Sequence, residues 1–165
     1  MITLSFVRRI SLLKTLVARP ATDAAPARDK ASAPSRFAGS VQLRHVDAGS
    51  CNGCEIEIAS AFGPVCDAGR FGARLVASPR HADGLLVTGV VTKNMAVPLQ
   101  KTFEAVPRPR VVVACGDCAV DGGVFSGAYG VAGALGDFVP VDVEIRGCPP
   151  GPSAITEAIR GLTGR

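Results

Sequence analysis

Two continuous apolar runs constrain this 165-residue chain more than anything else in it: Gly84-Leu85-Leu86-Val87-Thr88 and Arg110-Val111-Val112-Val113-Ala114. A strand with one wet face alternates apolar and polar residues. A run that is apolar throughout must be covered on both faces, the position of a central strand in a parallel sheet. Parallel neighbours need a crossover, and Met95 to Val106, stopped by Pro107, supplies a helix between the two runs. Val41 to Asp47 alternates and reads as a first strand; Arg74 to Ser78 and Val139 to Ile145 read as two more. Further helices are expected over Glu55 to Phe62 and Ser153 to Leu162, the latter with Ser153 as N-cap and Glu157 in its early turns. The expected class is α/β, a largely parallel sheet with helices on both faces. An apolar fraction of 47% is enough to cover such a sheet.

Three segments are expected: residues 1–19, 20–40 and 41–165. In the first, Ile2, Phe6, Ile10, Leu13 and Val17 recur at steps of three or four, with Arg8, Arg9 and Lys14 mainly off that face. This is the pattern of an amphipathic basic helix, one that packs on protein or lies on a membrane surface. Arg8-Arg9 also has the form of a twin-arginine export signal, but the apolar run after Lys14 is only Thr15 to Ala18, short of the ~7–15 residues an export signal needs. Residues 20–40, rich in Ala, Pro, Ser and charge, read as a linker. Residues 1–40 hold seven basic side chains against two acidic; residues 41–165 hold eleven against twelve. The surplus of +4 therefore belongs to the N-terminal segment, which argues against a nucleic-acid-binding domain. No stretch approaches 18 apolar residues, so no membrane span is expected.

The chemistry is in the cysteines. Ser50-Cys51-Asn52-Gly53-Cys54 places two thiols around a glycine, where a tight fold lets both grip one centre. Alone, this spacing suits a zinc knuckle, a redox dithiol, half of an iron–sulfur site or a disulfide. The strand order decides more. Strand one runs into Cys51 and Cys54, strand four into Cys115-Gly116-Asp117-Cys118, and strand five into Gly147-Cys148-Pro149-Pro150. Parallel strands share one carboxyl edge, and ligands bind there, so cysteines far apart in sequence converge. A zinc module usually pairs its cysteines within ~15–20 residues; here 60 residues separate Cys54 from Cys115. A four-iron cube accepts thiolates from distant loops, and a ligand cysteine followed by proline is familiar there. A disulfide framework fits poorly without a secretory signal. Cys51, Cys54 and Cys148 are straightforward candidates. Cys115 and Cys118 compete for the fourth place, and Cys118 is favoured because Cys115 ends a strand whose side chain can point into the core. Cys66 has no nearby partner and reads as a small buried apolar residue.

SCNGCEIEI, SPRHADGLLVTG, VTKNM, VVACGDCAVDGGVF and VPVDVEIRGCPPGP together resemble the small electron-transfer subunit shared by group 4 membrane-bound [NiFe] hydrogenases, formate hydrogenlyase and respiratory complex I. The resemblance covers residues 41–162 and implies a flavodoxin-like fold holding one [4Fe-4S] cluster on Cys51, Cys54, Cys118 and Cys148. It implies an oxidoreductase complex whose large subunit is of hydrogenase or complex I type. It also implies ferredoxin-like iron–sulfur and membrane-arm subunits as partners, and a peripheral position on the cytoplasmic face of the membrane. The complex I form, whose cluster reduces quinone, carries two adjacent cysteines, so Cys51-x-x-Cys54 points to the hydrogenase side. Glu57 matches a family glutamate near the cluster, with a role in proton movement or tuning; read alone it is a capping or salt-bridging carboxylate. Arg80 and His81 resemble a loop near the subunit interface, and His45 reads as a packed strand residue. Val90 and Arg146 replace usual prolines, and Cys66 stands where an aromatic is common.

Overall fold

In the computed structural model, which describes Phe37 and residues 39–165, five parallel strands form one sheet. They are β1 (Val41–Asp47), β2 (Ala73–Leu75), β3 (Gly84–Thr88), β5 (Val111–Cys115) and β7 (Val143–Ile145), in the spatial order β2-β1-β3-β5-β7. β4 (Val91–Thr92) and β6 (Val131–Gly133) make a separate antiparallel pair. The helices are α1 (Gly53–Ala61), α2 (Ala96–Ala105), α3 (Asp117–Asp121) and α4 (Pro152–Thr163).

The two apolar runs form the central strands, and every residue of β3 and β5 is buried. Period-two alternation divides them between two cores. Val111, Val113 and Cys115 join Leu86, Val41 and Leu43 beneath α1 and α4, which contribute Ile58, Ile155 and Ile159. Val112 and Ala114 join Leu85, Val87 and Val46 on the opposite face, covered by Leu99 and Phe103 of α2 and Ala119 of α3. Both faces of the sheet are thus sealed, as a continuous apolar run requires.

Several boundaries differ from the sequence reading. β5 extends through Cys115, and α1 begins at Gly53, ahead of Glu55. β7 is shorter than expected: Pro140 has no N–H to give a ladder, and the Asp142 carboxylate accepts the Val112 N–H at 2.8 Å. α4 starts at Pro152 with Gly151 as its N-cap, so Ser153 lies inside the first turn instead of capping it. The expected N-terminal helix lies outside the described residues, as does most of the expected linker. At the linker's end, Phe37 packs against the core and the Gly39 N–H donates to the Thr163 carbonyl at 2.8 Å.

The chain leaves β1 for the β2 edge and then crosses back to β3, so the winding reverses between β1 and β3. In an open parallel sheet this switch point, at the carboxyl ends of the strands, is where a ligand crevice forms.

Candidate metal centre

After β1 the chain turns on Asp47, whose Oδ1 accepts the N–H groups of Gly49 at 2.8 Å and Ser50 at 2.7 Å. This side-chain turn starts the cysteine loop. The loop is pinned from the next strand by Gly89, at φ +76°, where a Cβ would lie 2.3 Å from the Ser50 nitrogen, so only glycine fits. The tight fold between the two thiols is made by Asn52 at φ 71°, not by Gly53; asparagine tolerates this left-handed conformation. α1 then starts, carrying Cys54 buried in its first turn, while Cys51 is exposed before it.

The loops after β5 and β7 are tied to each other. Asp117 N–H donates to the Gly147 carbonyl at 3.0 Å, and Asp117 Oδ1 accepts the Gly147 N–H at 2.9 Å. Cys118 is buried in the short helix α3, on a helical turn where the sequence suggested open loop. Cys148, in a cis peptide with Pro149, is exposed.

The thiols feel one another across the three loops. Burial pushes Cys54 up to about 11, helped by the charges of Glu55, Cys118, Cys51 and Cys148. Burial also raises Cys118, helped by Cys148, Cys51 and Asp117. Cys115, fully buried at the end of β5, is pushed up to about 12 by burial, then by the charges of Cys54 and Glu55. The raised Cys54 and Cys118 thiols are what a multiply charged cation would bring back to thiolate, and metal loading then releases protons. Gly116, at φ +93°, fits the same picture: a Cβ there would stand 2.6 Å from the Cys54 sulfur, so the backbone leaves the sulfur its space. Among the described residues no three His, Cys, Asp or Glu side chains converge tightly enough for a single metal ion. The donor set of four thiols on three loops fits an iron–sulfur group.

A polar network missed by the sequence reading backs the first loop. The Ser50 hydroxyl accepts the Asn52 N–H at 3.0 Å and donates to Glu55 Oε2 at 2.6 Å. Thr88, fully buried at the end of β3, donates its hydroxyl to Glu55 Oε1. His45 Nε2 lies 2.9 Å from the same hydroxyl and 3.6 Å from Glu55 Oε1. Since Thr88 has one proton and gives it to Glu55, the His45 Nε2–H is the donor in the second bond. Burial lowers the His45 pKa despite Glu55 and Asp47, so this contact is a hydrogen-bond chain more than an ion pair. His45 is therefore more than a packed strand residue: it borders an open cleft of about 570 Å³ shared with Arg44, Asp47, Leu75 and Met95. Glu57, singled out from the sequence, is half-buried on α1 and forms no hydrogen bond or ion pair among the described residues. The available signal for the network was a hydroxyl and a carboxylate flanking the two cysteines. Cys66 is half-buried; Arg80 and His81 lie in a 3-10 turn, Pro79–His81.

The family model of the NADH ubiquinone oxidoreductase 20 kDa subunit matches residues 51–162. The chain belongs to this family. It is an oxidoreductase-subunit family, and the match spans every thiol described above. The chain is 46% identical to formate hydrogenlyase subunit 7 of Escherichia coli (strain K12), over 76% of its own length and 49% of that protein. It therefore spans about half the length of that relative. It is 48% identical to the probable membrane-bound hydrogenase subunit mbhJ of Pyrococcus furiosus, over 70% of its own length and 69% of that protein. Among solved structures it resembles a chain of the membrane-bound sulfane sulfur reductase, an archaeal respiratory membrane complex. There the TM-score is 0.67 at 34% identity, covering 78% of this chain and 71% of that one. Among the described residues no helix is long and apolar enough to cross a membrane.

Proposed function

We propose that this family member is the electron-transfer subunit of a membrane-associated hydrogenase or formate hydrogenlyase-like complex. In this reading Cys51, Cys54, Cys118 and Cys148 hold one [4Fe-4S] cluster. The observation that carries it is the meeting of these four thiols, from three loops, at the switch point of a parallel sheet. When bound, the cluster supplies one-electron transfer between a [NiFe]-type large subunit and ferredoxin-like subunits.

The chain's own residues would do the rest. Cys54 and Cys118 are buried and keep water from one side of the centre, while Cys51 and Cys148 open toward a partner. Ile56, Val124 and Phe125, exposed on α1 and on the turn after α3, supply apolar surface for a large subunit to cover. The paired loops fix the spacing of the thiols, so that little rearranges on electron transfer. The subunit sits at the periphery of the membrane on its cytoplasmic face, reached through membrane-arm partners.

A second reading is favoured by the family model itself: a small subunit of complex I type whose cluster reduces quinone. The spacing Cys51-x-x-Cys54 weighs for the hydrogenase side. Quinone-dependent turnover of the purified complex would shift the balance to the second reading. A zinc-stabilised interaction module is separated by metal analysis. Anaerobically purified complex should contain about four iron and four sulfide per chain and give a paramagnetic signal on reduction. Zinc without iron or sulfide would sink both redox readings. Cys118→Ser should lose or convert the cluster and Cys115→Ser should keep it; the reverse result would move the fourth ligand to Cys115.

A further inference from the structure

Thr88 is the residue that the apolar pattern of β3 does not account for. Leu85, Leu86 and Val87 pack into the two cores, and Thr88 ends the strand as a fully buried hydroxyl. A buried polar group is expected to be bonded. Thr88 is bonded twice, to the two ends of one loop. Its backbone carbonyl accepts the Ala48 N–H at 2.9 Å, where the chain leaves β1. Its hydroxyl donates to Glu55 Oε1, where the chain has entered the first turn of α1. Cys51 and Cys54 lie between these anchors. The hydroxyl has one proton and a more distant second acceptor, the Val46 carbonyl at 3.5 Å. The proton goes to the nearer Glu55, and the oxygen takes the His45 N–H at 2.9 Å. Glu55 is left with Oε2 for the Ser50 hydroxyl, which accepts the Asn52 N–H in the left-handed turn between the two thiols.

We propose that Thr88 is a positioning residue for the cluster: it clamps residues 48–55 at both ends and so sets where Cys51 and Cys54 present their sulfurs. The proposal rests on the electron-transfer reading above. Groups behind a ligand orient it, and the geometry around ligand sulfurs sets the properties of the group they hold. Thr88 acts through Ala48 and Glu55, not as a ligand. The carbonyl half of the clamp survives substitution at this position and the hydroxyl half does not, so the hydroxyl can be tested by itself.

The test uses the anaerobically purified complex with the full chain, as wild type and as Thr88→Val and Thr88→Ser. Three quantities are read: iron and sulfide content, the paramagnetic spectrum of the reduced complex, and the midpoint of a redox titration. Thr88→Val keeps the shape of the site and the bond to Ala48. It should displace the spectrum and the midpoint from their wild-type values, or lose iron. Thr88→Ser keeps the hydroxyl and should return all three to wild type. If Thr88→Val does not assemble, Ser50→Ala is read in its place, since it cuts the same chain of bonds at its other end and should give the same displacement. A fall in melting temperature alone does not support the proposal. A wild-type spectrum and midpoint in the iron-loaded variant overturn it. Displacement in Thr88→Ser as large as in Thr88→Val also overturns it, because the methyl group and not the hydroxyl would then matter. Wild-type complex without iron or sulfide removes the electron-transfer reading, and this proposal with it.

Discussion

The two halves of the thiol edge are built by different means. The Cys51–Cys54 half is held by side chains: Asp47 caps the turn, and Ser50, Glu55, Thr88 and His45 form a chain of hydrogen bonds behind it. The Cys118–Cys148 half is held close to the backbone, by two bonds between Asp117 and Gly147 and by the absence of side chains at Gly116 and Gly147. On its solvent side, Arg146 pairs with Asp121 at 3.1 Å and with Glu144 at 3.3 Å, all three exposed. One half is therefore exposed to loss of a polar partner and the other to gain of a side chain.

The two halves are most sensitive to change at Gly116. Gly116→Ala places a Cβ 2.6 Å from the Cys54 sulfur at a backbone angle of φ +93°. The backbone alone costs about 1–3 kcal/mol, and displacement of the sulfur should abolish cluster loading. Iron and sulfide analysis of the variant complex checks this; normal loading would mean that the two halves do not meet through Gly116.

Alkali should act next most strongly on the iron-free chain. Cys54 rises from 9.0 to about 11 and Cys115 from 9.0 to about 12. The folded chain thus keeps protons that the unfolded chain gives up. That stability is intact below pH 9.0 and declines as pH climbs toward 11 and 12. Thermal melts across that range should fall steeply for the iron-free chain and less steeply for a Cys54→Ala, Cys115→Ala double variant. Parallel curves would refute the assignment.

Thr88→Val is the third test. It keeps shape but leaves Glu55 and His45 each short of a partner, at about 1–3 kcal/mol. The melting temperature should drop by several degrees, and a drop no larger than that of Thr102→Val, half-buried on α2 and bonded only to the Pro98 carbonyl of its own helix, would show that the network is incidental. Arg146→Ala should have the smallest effect, leaving the melting temperature unchanged, because exposed ion pairs are screened. A clear loss there would mean that the backbone ties of the second half are insufficient.

The central strands were legible because Leu85–Val87 and Val111–Val113 admit no wet face. The edge strands were legible in place but not in extent, since three residues carry no period and Pro140 and Asp142 interrupt the pattern before β7. That the cysteine loops leave the carboxyl ends of strands in one parallel sheet followed from strand order alone. The network behind them did not, because its members come from β1, the cysteine loop, α1 and β3. Only the register, with Asp47 beside Thr88 and His45 beside Leu86, brings them together. A carboxylate adjacent to a buried cysteine, Glu55, was therefore passed over for Glu57. The turn at Asn52 was hidden by a neighbouring glycine that looked like the better candidate.

The bond from Gly39 to Thr163 gives the molecule a polarity. α4 leaves the thiol edge at Pro152 and returns along the sheet, so Phe37 and the last residues of the chain share the opposite pole. β1 alone, at ~3.3 Å per residue, puts about 20 Å between the poles. An affinity handle or electrode linker attached at the pole of Gly39 and Thr163 would orient the molecule with Cys51 and Cys148 facing outward, available for direct voltammetry or for capture of a partner.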